Sequence, residues 1–175
     1  MEIQRMQRIS LLFVFVCGVA CGQTPPQRPS PCKTDSTYRQ FDFWIGEWDV
    51  ENPQGQVVGR SSIQLIEGDC VLLENYASVR GPYTGKSFNI YNAALDRWQQ
   101  FWVDNQGGVL EFKGAYKDRE LRYTAESIGP RNQPTHHKLT FFHREDGTVR
   151  QLWEQSINGG STWTVAFDGL YRKRK

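Results

Sequence analysis

The sequence predicts an all-β chain that closes into an antiparallel up-and-down barrel of about ten strands, with a β-sandwich as the alternative. Three observations point there. Short runs with strand-like alternation follow one another from residue 45 to the end, separated by turn residues and with almost no helical period. Six Trp, seven Tyr and ten Phe in 175 residues suit a β fold with a lined interior. Closure also removes the exposed edge strands that a sandwich has to protect.

The totals narrow the functional classes. A chain of 175 residues is long enough for one domain with a real core. A net charge of +2 supplies no strong field for nucleic acid or an acidic surface. No run of 18 apolar residues exists, so no mature helix is expected to span a membrane. The basic end Arg172-Lys173-Arg174-Lys175 reads as a solvated terminus.

In chain order, residues 1–22 read as an export signal, with Arg5 and Arg8 before an apolar stretch at residues 9–20 that is too short to span. Gly18-Val19-Ala20-Cys21 resembles a lipoprotein box with Gly18 where Leu is usual, which would leave Cys21 lipidated. Ala20-Cys21-Gly22 serves equally as an ordinary small-x-small cleavage site. Residues 23–36, with four Pro, read as a tether. The barrel domain is expected over 37–175. A short helical turn is expected within residues 34–43, capped by Asp35 or Ser36.

The first strand follows the densest aromatic run, Phe41-Asp42-Phe43-Trp44-Ile45-Gly46-Glu47-Trp48-Asp49-Val50. Alternation puts Gly46, Trp48 and Val50 on one face, and Ile45, Glu47 and Asp49 on the other. Gly46 is expected to let backbone approach closely, and Trp48 to fill apolar space. A turn at Asn52-Pro53-Gln54-Gly55 leads to the second strand, and one at Glu67-Gly68-Asp69 to a third that begins at Cys70. Strands are then expected around residues 87–91, 98–104, 109–112 and 121–125. A loop holding Pro130 and Pro134 precedes the last three, at 138–143, 149–155 and 162–171.

The ten-residue opening resembles that of an uncharacterised family of exported bacterial calycin-like barrel proteins, a resemblance that extends from Cys32 to Tyr171. Gly46-Glu47-Trp48 is also similar to the Gly-x-Trp signature of calycins, the lipocalin and fatty-acid-binding group. The resemblance implies a barrel with a ligand cavity and says little about chemistry.

The best candidate site is a shared face. Gln100-Phe101-Trp102 before Gly107-Gly108 echoes Gln151-Leu152-Trp153 before Gly159-Gly160, an amide and an indole two apart on one side of a strand. Trp98, Gln100, Trp102, Gln151 and Trp153 are the expected cavity lining, joined by Glu74 and Asn89 from two other polar–aromatic faces. Polar groups among aromatics inside a barrel must find partners, at a cost of about 1–3 kcal/mol otherwise. A ligand in a pocket and an internal hydrogen-bond network are both open readings. Glu74 is the acid with apolar neighbours whose burial would raise its pKa and suit acid–base work.

Other chemistries find less support. His136 and His137 are adjacent and point to opposite faces of a strand; His143 stands alone, although some calycin-like barrels bind haem through one His. No nucleophile elbow, phosphate loop or dinucleotide fingerprint is present. Neither a cofactor nor a metal is expected. Of four Cys, Cys17 leaves with the signal and Cys21 is lipidated or removed, so Cys32 and Cys70 are the expected disulfide in an oxidising compartment. The expected function is that of an exported barrel binding a small, partly apolar molecule. The alternatives are an enzyme working through Glu74 in the same cavity and an inert envelope module with a filled interior. No nucleic-acid partner is expected, and membrane contact only through a lipid at Cys21.

Overall fold

The structure of the protein, a computed structural model, describes residues 30–174. The expected export signal, Cys21, residues 23–29 of the expected tether and Lys175 lie outside the described residues. Ten antiparallel strands follow: β1 (Gly46–Glu51), β2 (Val57–Ile66), β3 (Val71–Ser78), β4 (Thr84–Asn92), β5 (Arg97–Asp104), β6 (Val109–Lys117), β7 (Glu120–Gly129), β8 (Gln133–His143), β9 (Val149–Ser156) and β10 (Thr164–Lys173). Each pairs with its sequence neighbours, and β1 pairs with β10 to close the barrel. No edge remains, so the sandwich is excluded and the up-and-down barrel stands, consistent with a calycin-like fold.

Period-2 burial drives the strands. Along β4, Gly85, Ser87 and Asn89 are buried while Lys86 and Phe88 are exposed, and β7 buries Leu121, Tyr123 and Ala125 in the same way. In β1, Trp48 and Val50 face in and Glu47 faces out, as alternation requires. Gly46 departs from expectation in its reason. A Cβ there would meet nothing nearer than 3.7 Å, but its φ of +134° is one that L side chains rarely adopt. Backbone conformation, rather than close approach, calls for glycine.

One end of the barrel is sealed by the segment before β1. A one-turn helix (Pro31–Thr34) leads to 3₁₀ turns at Ser36–Arg39 and Asp42–Trp44. Asp35 caps the first 3₁₀ turn, its Oδ1 accepting from the Thr37 amide at 2.8 Å. This segment carries Phe41 and Trp44 into the barrel, where both are fully buried. Phe41 stacks on Trp44 at 5.0 Å between centroids and meets Phe141 edge-on at 4.9 Å and Trp98 at 5.8 Å. Burying one such side chain is worth about 1.5–3 kcal/mol. Trp48 Nε1 donates to the Trp44 carbonyl at 2.8 Å, and an Arg39 guanidinium nitrogen donates to the Asp69 carbonyl at 2.5 Å, tying the plug to the wall.

The Cys32–Cys70 disulfide joins the start of the plug to the β2–β3 turn, with Cα atoms 4.9 Å apart. Several boundaries differ from the sequence reading. Residues 31–36, placed in the tether, fold onto the barrel, and Cys32 is buried. Cys70 sits in the turn before β3 rather than in the strand. Pro134 belongs to β8, opposite Ile128, which shortens the loop to residues 130–132; a proline is tolerated at a strand's start.

Candidate functional site

Beyond the plug, the inward side chains change character. A polar layer crosses the middle of the barrel, and above it lies a cavity of about 330 Å³ whose lining includes Glu74, Gln100, Trp102, Gln151, Trp153 and Tyr171. Among the described residues, the interior is therefore not filled. Pairing explains the convergence. Glu74 stands opposite Ser87, Ser87 opposite Trp102, and Gln151 opposite Gly169, so β3, β4, β5 and the β9–β10 pair deliver these groups to neighbouring levels.

The polar layer has an order set by donors and acceptors. The Leu72 carbonyl can only accept, and it takes an Asn89 Nδ2 proton at 3.4 Å; the other goes to Ser87 Oγ at 3.0 Å. Asn89 Oδ1 then needs donors and receives Gln100 Nε2 at 2.9 Å and the Tyr123 hydroxyl at 3.5 Å. Ser87 Oγ passes its own proton to Glu74 Oε2 at 2.9 Å, and Ser61 Oγ donates to Oε1 at 2.8 Å. Tyr171 OH lies 2.5 Å from Gln151 Oε1 and 3.4 Å from Glu74 Oε1, so its single proton serves the amide first.

Glu74 is 2 % exposed. Burial pushes its carboxyl up to about 7, against the pull of the Ser61, Ser87 and Tyr171 hydroxyls. No cationic side chain contributes among the described residues, so near neutral pH the group divides between its two forms. Burial and then the Glu74 charge hold the Tyr171 phenol well above its ordinary value.

The cavity wall is aromatic. Tyr76 lies within 6.3–6.5 Å of Tyr83, Trp102 and Phe167 between ring centroids. Trp102 lies across Gly85, where any Cβ would stand inside the indole. Trp153 is oriented by His137: its Nε1 donates to His137 Nδ1 at 3.1 Å, which leaves the imidazole proton on Nε2, 2.7 Å from Ser127 Oγ. Burial holds that imidazole below its ordinary pKa, with His136 adding to the effect.

No protein-family model matches the chain, and no curated protein matches it. The site therefore has to be read from its own residues.

Of the residues the sequence singled out, Glu74, Gln100, Trp102, Gln151 and Trp153 line the cavity. Trp98 and Asn89 do not. Trp98 faces inward one level too low: it is buried against Phe41, and its Nε1 donates to Gln40 Oε1 at 3.0 Å in the plug. Asn89 lies beneath the floor with all four of its hydrogen-bonding sites occupied, so it positions Gln100. His136 and His137 face opposite ways, and His136 pairs with Glu126 at 3.5 Å. The His143 ring stacks on Phe43 at 4.5 Å. Among the described residues no group of three metal-ligating side chains forms.

Sequence reasoning missed Tyr83, Leu110, Phe112, Leu139, Phe167 and Tyr171 in the lining. Inward parity on β6 and β8 could have found Leu110, Phe112 and Leu139. Parity alone fails on β10, where a bulge between Val165 and Phe167 brings both Ala166 and Phe167 to the cavity.

Proposed function

We propose that the protein is an exported barrel that binds a small, partly apolar molecule in this cavity. The observation that carries the reading is a cavity of about 330 Å³ with aromatic walls and a polar floor; ligand pockets span roughly 300–1,000 Å³ and combine apolar walls with a few placed polar groups. A disulfide between Cys32 and Cys70 supports an oxidising compartment and hence export. So does the likeness of the aromatic opening to exported barrel proteins. A lipid on Cys21 would be the membrane tie. Among the described residues no helix is long and apolar enough to cross a membrane.

Titration with apolar aromatic probes tests the reading through tryptophan fluorescence. Quenching is expected in the native protein and should be lost when Trp102 and Trp153 are both replaced by Ala. Quenching that survives the double replacement would place the ligand elsewhere. Glu74 favours one further reading: a buried carboxyl with a pKa of about 7 suits general acid–base catalysis in the same cavity.

A further inference from the structure

We propose that the ligand is a small organic amine, bound as its cation, with the ammonium on Glu74 and the hydrocarbon body against Trp102, Trp153 and Phe167. This rests on the cavity-binding reading and deepens it. Among the described residues that line the cavity, Glu74 is the single acid, and there is no Lys, Arg or His. A buried charge without a counter-ion is costly. Such a carboxyl either takes a proton or pairs with a cation, and a cation that arrives from outside would hold it ionised.

The donors and acceptors agree. Glu74 accepts from two serine hydroxyls, one on each oxygen, and the Tyr171 hydroxyl lies 3.4 Å from Oε1, which leaves a lone-pair position of Oε2 unused. The Leu72 carbonyl fixes Asn89, Asn89 takes the Gln100 amide nitrogen, and Gln100 Oε1 is left as a second acceptor at the cavity. An ammonium brings three donors to such a floor. Trp102, Trp153 and Phe167 in the same lining supply apolar wall for the hydrocarbon body. The titratable groups facing Glu74 are the Tyr76 and Tyr171 phenols, both held neutral by burial. A ligand carboxylate would meet the Glu74 charge with nothing to offset it. At about 330 Å³ the cavity suits a single aromatic or short aliphatic skeleton rather than a long-chain lipid.

Calorimetry on the mature protein at pH 8 decides, using phenethylamine and tryptamine, the alcohols of the same skeletons, and the corresponding arylacetates. The amines should bind at least tenfold tighter than the alcohols, and the arylacetates weakest. Glu74→Gln should lower amine affinity at least tenfold and leave the alcohols within threefold. A measurement on the unaltered chain guards against a variant that folds poorly. Amine affinity should fall more than tenfold from pH 8 to pH 5 as Glu74 takes its proton, while alcohol affinity stays level. Equal binding of amines and alcohols, or an amine affinity level with pH, overturns the amine assignment. In that case loss of alcohol binding in Trp102→Ala would still uphold the cavity. No binding by any of the three series overturns both.

Discussion

At one end of the barrel Phe41, Trp44 and Phe141 meet with ring centroids 4.6–5.0 Å apart. At the other, Tyr76, Trp102 and Phe167 stand more than 6 Å from their ring partners around open volume. Strand β5 contributes an aromatic residue to each end, Trp98 at the closed one and Trp102 at the open one. The difference lies in what enters from outside the sheet. Ten strands enclose more space than their own side chains fill, whereas about eight leave an interior just wide enough for them. The plug of residues 31–44 supplies the missing volume at one end and nothing among the described residues supplies it at the other. Composition alone would not separate core from cavity here; the route of a short leading segment does.

The comparison breaks most visibly under truncation. Phe41→Ala should cost about 3–5 kcal/mol, because its neighbours are fixed on every side and cannot collapse into the void. Trp102→Ala, already half-exposed beside open volume, should cost less than about 1.5 kcal/mol while weakening probe binding. Urea denaturation of both variants checks the contrast, and equal losses would mean that the two ends are packed alike.

The disulfide belongs wholly to the closed end. Opening it in the Cys32→Ser, Cys70→Ser variant frees a loop of sequence separation 38, worth at most about 4 kcal/mol of unfolded-state entropy. The melting temperature should fall while the cavity's fluorescence response stays. A response lost together with stability would show that plug and cavity are one cooperative device.

Glu74 sharpens the comparison through pH. Its pKa rises from 4.5 in the unfolded chain to about 7 in the folded one, so the folded state holds more protons across that interval. Stability from this group is present below pH 4.5 and is lost as pH climbs to about 7, by about 3 kcal/mol in all. His137 and His143, whose pKa values burial lowers, act in the opposite sense. The difference between the native protein and Glu74→Gln isolates the carboxyl: relative to the variant, the native chain should weaken steadily between pH 5 and 7. A constant difference would mean that Glu74 is solvated in solution.

The smallest effect concerns the seat of one wall residue. Gly85→Ala forces the Trp102 ring off the strand and into the cavity, at about 1–3 kcal/mol. Probe affinity should fall with it. Unchanged affinity would show that the indole has another resting place.

The number of strands, their antiparallel order and the inward set on most of them follow from sequence, because a strand's alternation is local and turn residues punctuate it. The amide–indole echo at Gln100–Trp102 and Gln151–Trp153 was legible for the same reason, and so was the Cys32–Cys70 pair, the two cysteines outside the expected export signal and its cleavage site. Tertiary structure decided the rest. Trp98 and Trp102 share a face of β5, yet one is core and the other cavity wall, because depth along the barrel axis depends on strand stagger and on where residues 31–44 dock. Asn89 became a floor support only through Leu72 and Tyr123 on two other strands. Glu74 acquired its raised pKa by being walled in without a cation, a property of the neighbours that register brings to it and of no segment of chain.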